Sequence, residues 1–308
     1  MVADKYIQAS SKNRTLRKVA KRLVPFAYLA PTIVLLTVLS LVPIVMVFRY
    51  SLLNNVIMER NPVFVGLANY VELITDKVFQ RAILNTMYFT VSSVVFHLIL
   101  GLTFAMLLNT KLLSSTTRAL FRVVYILPWV FTATIIAVLW RLMLNPNGVI
   151  NYVLLWSGLV SEKVEFLSSK QIALHAVTFI NIWAGYPFYM VSLLAGLQGI
   201  PNEYYEAGTI DGANRRQLFW YITLPQLRPI ILSLAMLDFI WTMHQFTLIW
   251  MTTGGGPLRV TEMLSTLTYK LAFSSYEFSQ ASASAFIILA LSMIVALFYV
   301  RHQRASDE

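Results

Sequence analysis

Cysteine is absent from all 308 residues, and charge is scarce: Asp, Glu, Lys and Arg make up 12% of the chain against 57% hydrophobic residues. The first absence excludes disulfides, thiolate metal sites and cysteine nucleophiles. The second leaves about half the charged fraction of a soluble domain, too little polar surface to cover so much apolar side chain at a mean hydropathy of +0.66. The chain reads as an integral membrane protein. A third absence concerns nucleotides. None of the twelve glycines is followed by lysine, so the Gly-Lys-Ser/Thr of a phosphate-binding loop is missing and ATP is not held by that device. The HExxH metal motif, the GxSxG nucleophile elbow and an acid pair on one polar face are missing too, which leaves intramembrane catalysis without its residues.

What is there is six long apolar runs, at about 26–48, 83–109, 122–144, 171–198, 228–251 and 281–300. At 1.5 Å per residue each crosses most or all of a hydrocarbon core about 30 Å thick. They lack a period of two, so helices are expected, since a helix satisfies every backbone amide within the segment. The run 26–48 carries no charged side chain and is too long for a secretory h-region, so it reads as an uncleaved first span. Pro31, Pro43, Pro128 and Pro187 in these runs read as kinks. With the N-terminus inside, fifteen of the 24 Lys and Arg fall on inside segments and nine outside, as the positive-inside rule requires. Seven of the fifteen (Lys5, Lys12, Arg14, Arg17, Lys18, Lys21, Arg22) crowd the first 22 positions. They read as a topology determinant and an anionic-lipid contact, which accounts for the net charge of +10 without nucleic acid. The expected organisation is a basic cytoplasmic tail over 1–25, one six-span domain over 26–300, and a cytoplasmic tail over 301–308 whose closing Ala-Ser-Asp-Glu frays. The outside segments 49–82, 145–170 and 252–280 are too short for domains of their own.

Between the fourth and fifth runs lies a polar island, PNEYYEAGTIDGANRRQLFWYITLP, over 201–225. Residues 203–211 suit a short helix with Asn202 as N-cap and Glu203 in the first turn. Gly212 permits a sharp turn, and Asn214 suits the cap of a second helix over 215–222 that Pro225 ends. Ala207, Gly208, Gly212 and Ala213 keep the backbone thinly covered, as close approach by a partner requires. Tyr204, Tyr205, Phe219 and Trp220 supply apolar anchoring area.

Glu206-Ala207, then Gly212, then Ile222, Leu224 and Pro225 stand at the spacings of Glu-Ala-Ala, three residues, Gly, nine residues, Ile-x-Leu-Pro. The island therefore resembles the cytoplasmic coupling loop of ABC-importer permeases. Gly208 departs from that signature, which has Ala there, and is expected to loosen the first helix by about 1 kcal/mol. Gly66-Leu67-Ala68-Asn69-Tyr70, Thr253-Gly254-Gly255-Gly256-Pro257, Ala30-Pro31 and Leu127-Pro128 are similar to the sugar-importing branch and to the first of two unlike permease subunits. The resemblance implies an all-α transmembrane chain, with six helices of the MetI-like kind and cytoplasmic coupling helices, in a bacterial inner membrane with both termini cytoplasmic. It implies a second permease subunit, two ATPase subunits that bind ATP and Mg, and an extracytoplasmic solute-binding protein that delivers a sugar-class solute. This chain would hold no cofactor and would not be an enzyme. Glu206, Ala207, Gly208, Asp211 and Gly212 would dock on an ATPase subunit.

Polar groups within a membrane are costly and mark sites. In the fifth run Trp241, His244, Gln245 and Leu248 recur at steps of three and four residues, so on a continuous helix they share one face. An aromatic ring stacks on a sugar, and Gln and His exchange hydrogen bonds with hydroxyls. Trp241, His244 and Gln245 are therefore expected to line the solute path, with Asp238 either touching solute or holding a neighbouring helix. Asn181, Trp183 and Tyr186 in the fourth run form a second set. The lone His97 and His175 read as packing or interhelical hydrogen-bond residues. Gly254, Gly255, Gly256 and Pro257 read as a turn that the binding protein approaches closely, or as a plain flexible loop. Ala281 to Ala285 give the last run a small-residue surface for close packing. The competing reading is an ion-coupled secondary transporter with Asp238 and His244 as its proton relay.

Overall fold

The computed structural model describes residues 24, 26, 28–54, 56–110 and 113–307, with side chains through residue 301. The seven basic residues of the N-terminal tail lie outside the described residues. Among the described residues twelve helices follow in order. They are α1 (Tyr28–Ser51), α2 (Ala68–Thr75), α3 (Lys77–Asn109), α4 (Ser115–Val130), α5 (Ala133–Met143), α6 (Val149–Trp156), α7 (Ala173–Gln198), α8 (Asn202–Ile210), α9 (Arg215–Met243), α10 (Thr247–Thr252), α11 (Leu264–Phe273) and α12 (Phe278–Asp307). Among the described residues, extended pairing is limited to an isolated bridge between Leu53 and Phe64.

Five of these helices, α1, α3, α7, α9 and α12, are long and apolar enough to cross a membrane. Together α4 and α5 are long and apolar enough for a sixth, but they meet at 98° about a short break, the form of a broken span or a re-entrant pair. This modifies the expected third span: 122–144 is two helices about a corner. Chain order and burial place α7 at the centre. Over half of its apolar window is buried, against none of α1, which leaves α1 packed mainly on α12 through contacts such as Phe48 with Phe286.

The closest crossing is between α3 and α7. Gly101 on α3 has no side chain, and a Cβ there would overlap Tyr189 and the backbone nitrogen of Met190. Ala105, Leu108, Tyr189, Met190, Leu193 and Leu227 close over that crossing as a buried cluster. Small residues at such points let helix backbones approach, which is how helices associate where lipid removes the hydrophobic drive. The same logic holds at α12: Ala283 and Ser284 are fully buried, and Ser284 bonds Thr268 of α11 at 2.6 Å. The C-terminal residues expected to fray continue α12 as helix through Asp307.

Candidate functional site

The fifth run is not one continuous helix. α9 ends at Met243 and α10 begins at Thr247, so the shared face expected of Trp241, His244, Gln245 and Leu248 does not exist. His244 and Gln245 lie in the break and go different ways. His244 Nε2 meets Ser292 Oγ of α12 at 2.7 Å, away from Trp241. Gln245, Trp241, Thr242 and Leu248 instead line a cavity of about 280 Å³. The other break, at Phe131 and Thr132 between α4 and α5, opens into the same cavity through Trp129, Phe131 and Ala133. Irregular backbone at membrane depth persists only where protein buries it or a cavity solvates it, and both breaks meet that condition in one place.

Asp238, Asn181 and His97 form the polar wall of this cavity. His97 Nδ1 lies 2.8 Å from Asp238 Oδ2 and its Nε2 lies 3.0 Å from the backbone oxygen of Asn181. Thr242 donates to Asp238 Oδ1 at 2.9 Å, and Asn181 Nδ2 donates to Ser93 Oγ at 2.9 Å. The network joins α3, α7 and α9. Gly185 makes room for it, since a Cβ there would overlap the His97 ring. Asp238 therefore holds helices together, and its partner is His97 rather than His244, which removes the Asp238–His244 relay. The sequence signal for His97 was slight: an acid in one apolar run needs a partner, and only long-range packing tells which. Tyr186 is buried away from the cavity, its hydroxyl donating to the backbone oxygen of Tyr125 at 3.2 Å. Trp183 packs edge-on against Trp140. Trp241 and Trp129 both flank Phe188 and leave more than half of their own surfaces open.

The polar island forms α8, a turn and the start of α9. Asn202 is the first residue of α8 and Pro201 precedes it, so the expected Asn202 cap is not made. Asn214 does cap the second helix, in a reciprocal capping box with Gln217 at 3.0 and 2.8 Å, and Gly212 turns the chain at φ +82°. The second helix does not stop at Pro225. A π-turn over Phe219–Thr223, in which Leu224 N–H reaches Phe219 O, carries it into α9 without needing the N–H that proline lacks. Gly208 faces Leu218 and Ile222, whose Cδ atoms lie where a Cβ would come, so it packs α8 on the second helix. Tyr205 bonds Thr223 at 3.0 Å and ties α8 to α9. Glu206, Ala207, Asp211 and Gly212 are exposed, as is Ile210, at 86%.

At the other end, Gly254 and Gly255 take φ of +59° and +88°. Gly255 rests on the Glu262 carboxylate, which is buried and held by Lys270 Nζ and Thr266 Oγ1, each at 2.6 Å. Thr261 donates to Gly256 O at 2.6 Å, and Asn85 of α3 donates to Val260 O and Glu262 O at 3.1 and 3.0 Å. The segment is thus a held turn and not a plain flexible loop. Gly255 is buried within it, Gly254, Gly256 and Pro257 are half-buried, and Leu258 and Arg259 stand outermost.

Comparison with known proteins agrees with this architecture. A probable ABC transporter permease protein of Brucella suis is 31% identical over 93% of this chain and 99% of its own length. The trehalose/maltose transport system permease protein of Thermococcus litoralis is 31% identical over 90% of this chain and 92% of its own. A crystal structure of a bacterial ABC transporter involved in the import of the acidic polysaccharide alginate contains a chain of the same fold. Its TM-score is 0.80 at 24% identity, covering 95% of this chain and 99% of that one. Residues 97–306 match the model of binding-protein-dependent transport system inner membrane components. This multi-pass membrane chain belongs to that family.

Proposed function

We propose that this chain is one of two unlike permease subunits of an ATP-driven importer and passes a sugar-class solute across a bacterial inner membrane by alternating access. An extracytoplasmic binding protein delivers the solute at the Gly254–Pro257 turn, where Leu258 and Arg259 meet it. The solute crosses at the cavity of Trp241, Gln245 and Asn181. Two separate ATPase subunits bind ATP and Mg, and one docks on Glu206, Ala207, Asp211 and Gly212, with Gly208 behind them packed against Leu218 and Ile222. Both termini are cytoplasmic. The sugar reading is supported by the exposed Trp129 and Trp241 rings beside amide groups, the pairing that carbohydrate recognition uses, and by the relatives named above.

The observation that carries the proposal is the α8–turn–α9 unit. Its exposed face offers Glu206 and Ile210 while its other face is bonded to α9, the helix that reaches the cavity at Asp238 and Trp241. Closure of a partner around α8 would therefore move α9. The test is to co-express the chain with its neighbouring permease, ATPase and binding-protein genes and compare wild type with Glu206→Ala. Loss of ATPase co-purification, or of solute-stimulated hydrolysis, with the permease pair intact is the expected result. Unchanged hydrolysis would remove Glu206 from the docking contact, and a wild-type chain that recruits no ATPase would sink the proposal.

A further inference from the structure

The cavity wall contains no lysine or arginine. Its two ionisable groups, His97 and Asp238, face each other. The bonds around them fix their joint charge. The Asn181 backbone oxygen only accepts, so His97 Nε2 must donate to it. One proton then lies in the 2.8 Å contact between Nδ1 and Asp238 Oδ2. Held on the ring it gives imidazolium and carboxylate; held on the oxygen it gives imidazole and carboxylic acid. The pair is electrically neutral either way, and Thr242 completes it as a neutral donor. The groups left to meet a solute are amides and indole rings: Gln245, Asn181, Trp129 and Trp241.

We propose that the solute path through this chain carries no net fixed charge and takes uncharged, hydroxyl-rich solutes, while uronates, phosphorylated and sulfonated sugars are disfavoured. The inference rests on the path assigned under Proposed function. An anionic solute entering here would lose hydration with no cation to receive it, whereas pores for anions line themselves with Arg or Lys. Neutral hydroxyls lose less and regain it from the amides. The same fold serves an importer of the acidic polysaccharide alginate, so fold does not set the charge of the cargo; the wall does.

The absence of native cysteine makes a direct measurement available. Gln245→Cys, and separately Trp241→Cys, would be assembled with cysteine-free partner subunits. Each complex would then be treated with three methanethiosulfonates: a neutral glucosyl-ethyl reagent, an anionic sulfonatoethyl reagent and a cationic trimethylammonium-ethyl reagent. Rates are taken relative to a free thiol, with and without trapped ATP, and Leu159→Cys, at a residue 75% exposed and outside every contact assigned above, serves as the exposed reference. The glucosyl reagent is expected to react fastest, with both charged reagents about tenfold slower and within about threefold of each other. A single uncompensated charge about 8 Å away at an effective dielectric near 20 would instead change a charged reagent's rate by about thirtyfold. A sulfonate rate matching or exceeding the glucosyl rate overturns the proposal, and so does a cationic rate more than tenfold above the anionic one. If both cavity cysteines stay unmodified in every state while Leu159→Cys reacts, the cavity is off the aqueous path. That result sinks the path assignment and this inference with it.

Discussion

At Gly101 and Gly208 one methyl group leads to opposite outcomes. A Cβ on Gly101 meets the Tyr189 Cβ and the Met190 backbone nitrogen, atoms that cannot move without separating α3 from α7. Gly101→Ala is expected to cost about 1–3 kcal/mol, the usual range for overpacking, and to lower both yield and melting temperature of the solubilised complex. A Cβ on Gly208 meets only the Cδ atoms of Leu218 and Ile222, which are free ends of flexible side chains. Alanine also favours helix over glycine by about 1 kcal/mol. Gly208→Ala should therefore leave the melting temperature unchanged or raise it. A lower melting temperature for Gly208→Ala than for Gly101→Ala would show that Leu218 and Ile222 cannot yield and that the α3–α7 crossing can. Residue identity alone gave neither answer, since both are glycines in helices; what differs is the atom opposite.

Among the elements, the π-turn between the docking helix and the rest of α9 sets the rotational phase between them. One residue more than an α-helix needs is accommodated over Phe219–Thr223. Deleting Tyr221, whose side chain is 78% exposed, is expected to restore an α-helical register and swing Arg215–Leu218 by about 100° about the axis. The ATPase should still bind α8, but solute should no longer stimulate hydrolysis in proteoliposomes. Retained stimulation would mean that α9 does not transmit closure as a rigid rod. The elements also show what was legible in the sequence. The crossing helices were, because apolar runs of sufficient length have one backbone solution in lipid, and so was the helix–turn–helix, because Gly212 and Asn214 act locally. The two breaks were not. Phe131-Thr132 and His244-Gln245-Phe246 contain neither proline nor glycine, and the polar His244-Gln245 step reads equally well as one face of a continuous helix. The His97–Asp238 contact spans 141 positions, so no local pattern could pair them, and His97 was not placed at the cavity for that reason.

For the whole molecule, orientation in the membrane rests on a narrow margin of charge. In chain order the proposed docking helix α8 precedes α9 and the Gly254–Gly255 turn follows α10, so a chain inverted from the proposed orientation would present α8 to the wrong compartment. In the proposed orientation fifteen Lys and Arg fall on inside segments against nine outside, and seven of the fifteen lie before position 23. Replacing all seven with glutamine would leave eight inside and nine outside. Acids hardly contribute to the rule, and charges close to the first span count most. The substituted chain is therefore expected to insert in both orientations. A C-terminal fluorescent-protein fusion should lose about half of its signal, while a C-terminal alkaline phosphatase fusion, silent on the wild-type chain, gains activity. If the substituted chain keeps a single orientation with both reporters as in wild type, the remaining charges, Lys111, Arg118 and Arg122 first among them, suffice to fix the topology. The basic tail would then be a lipid contact and not the determinant of which way the transporter faces.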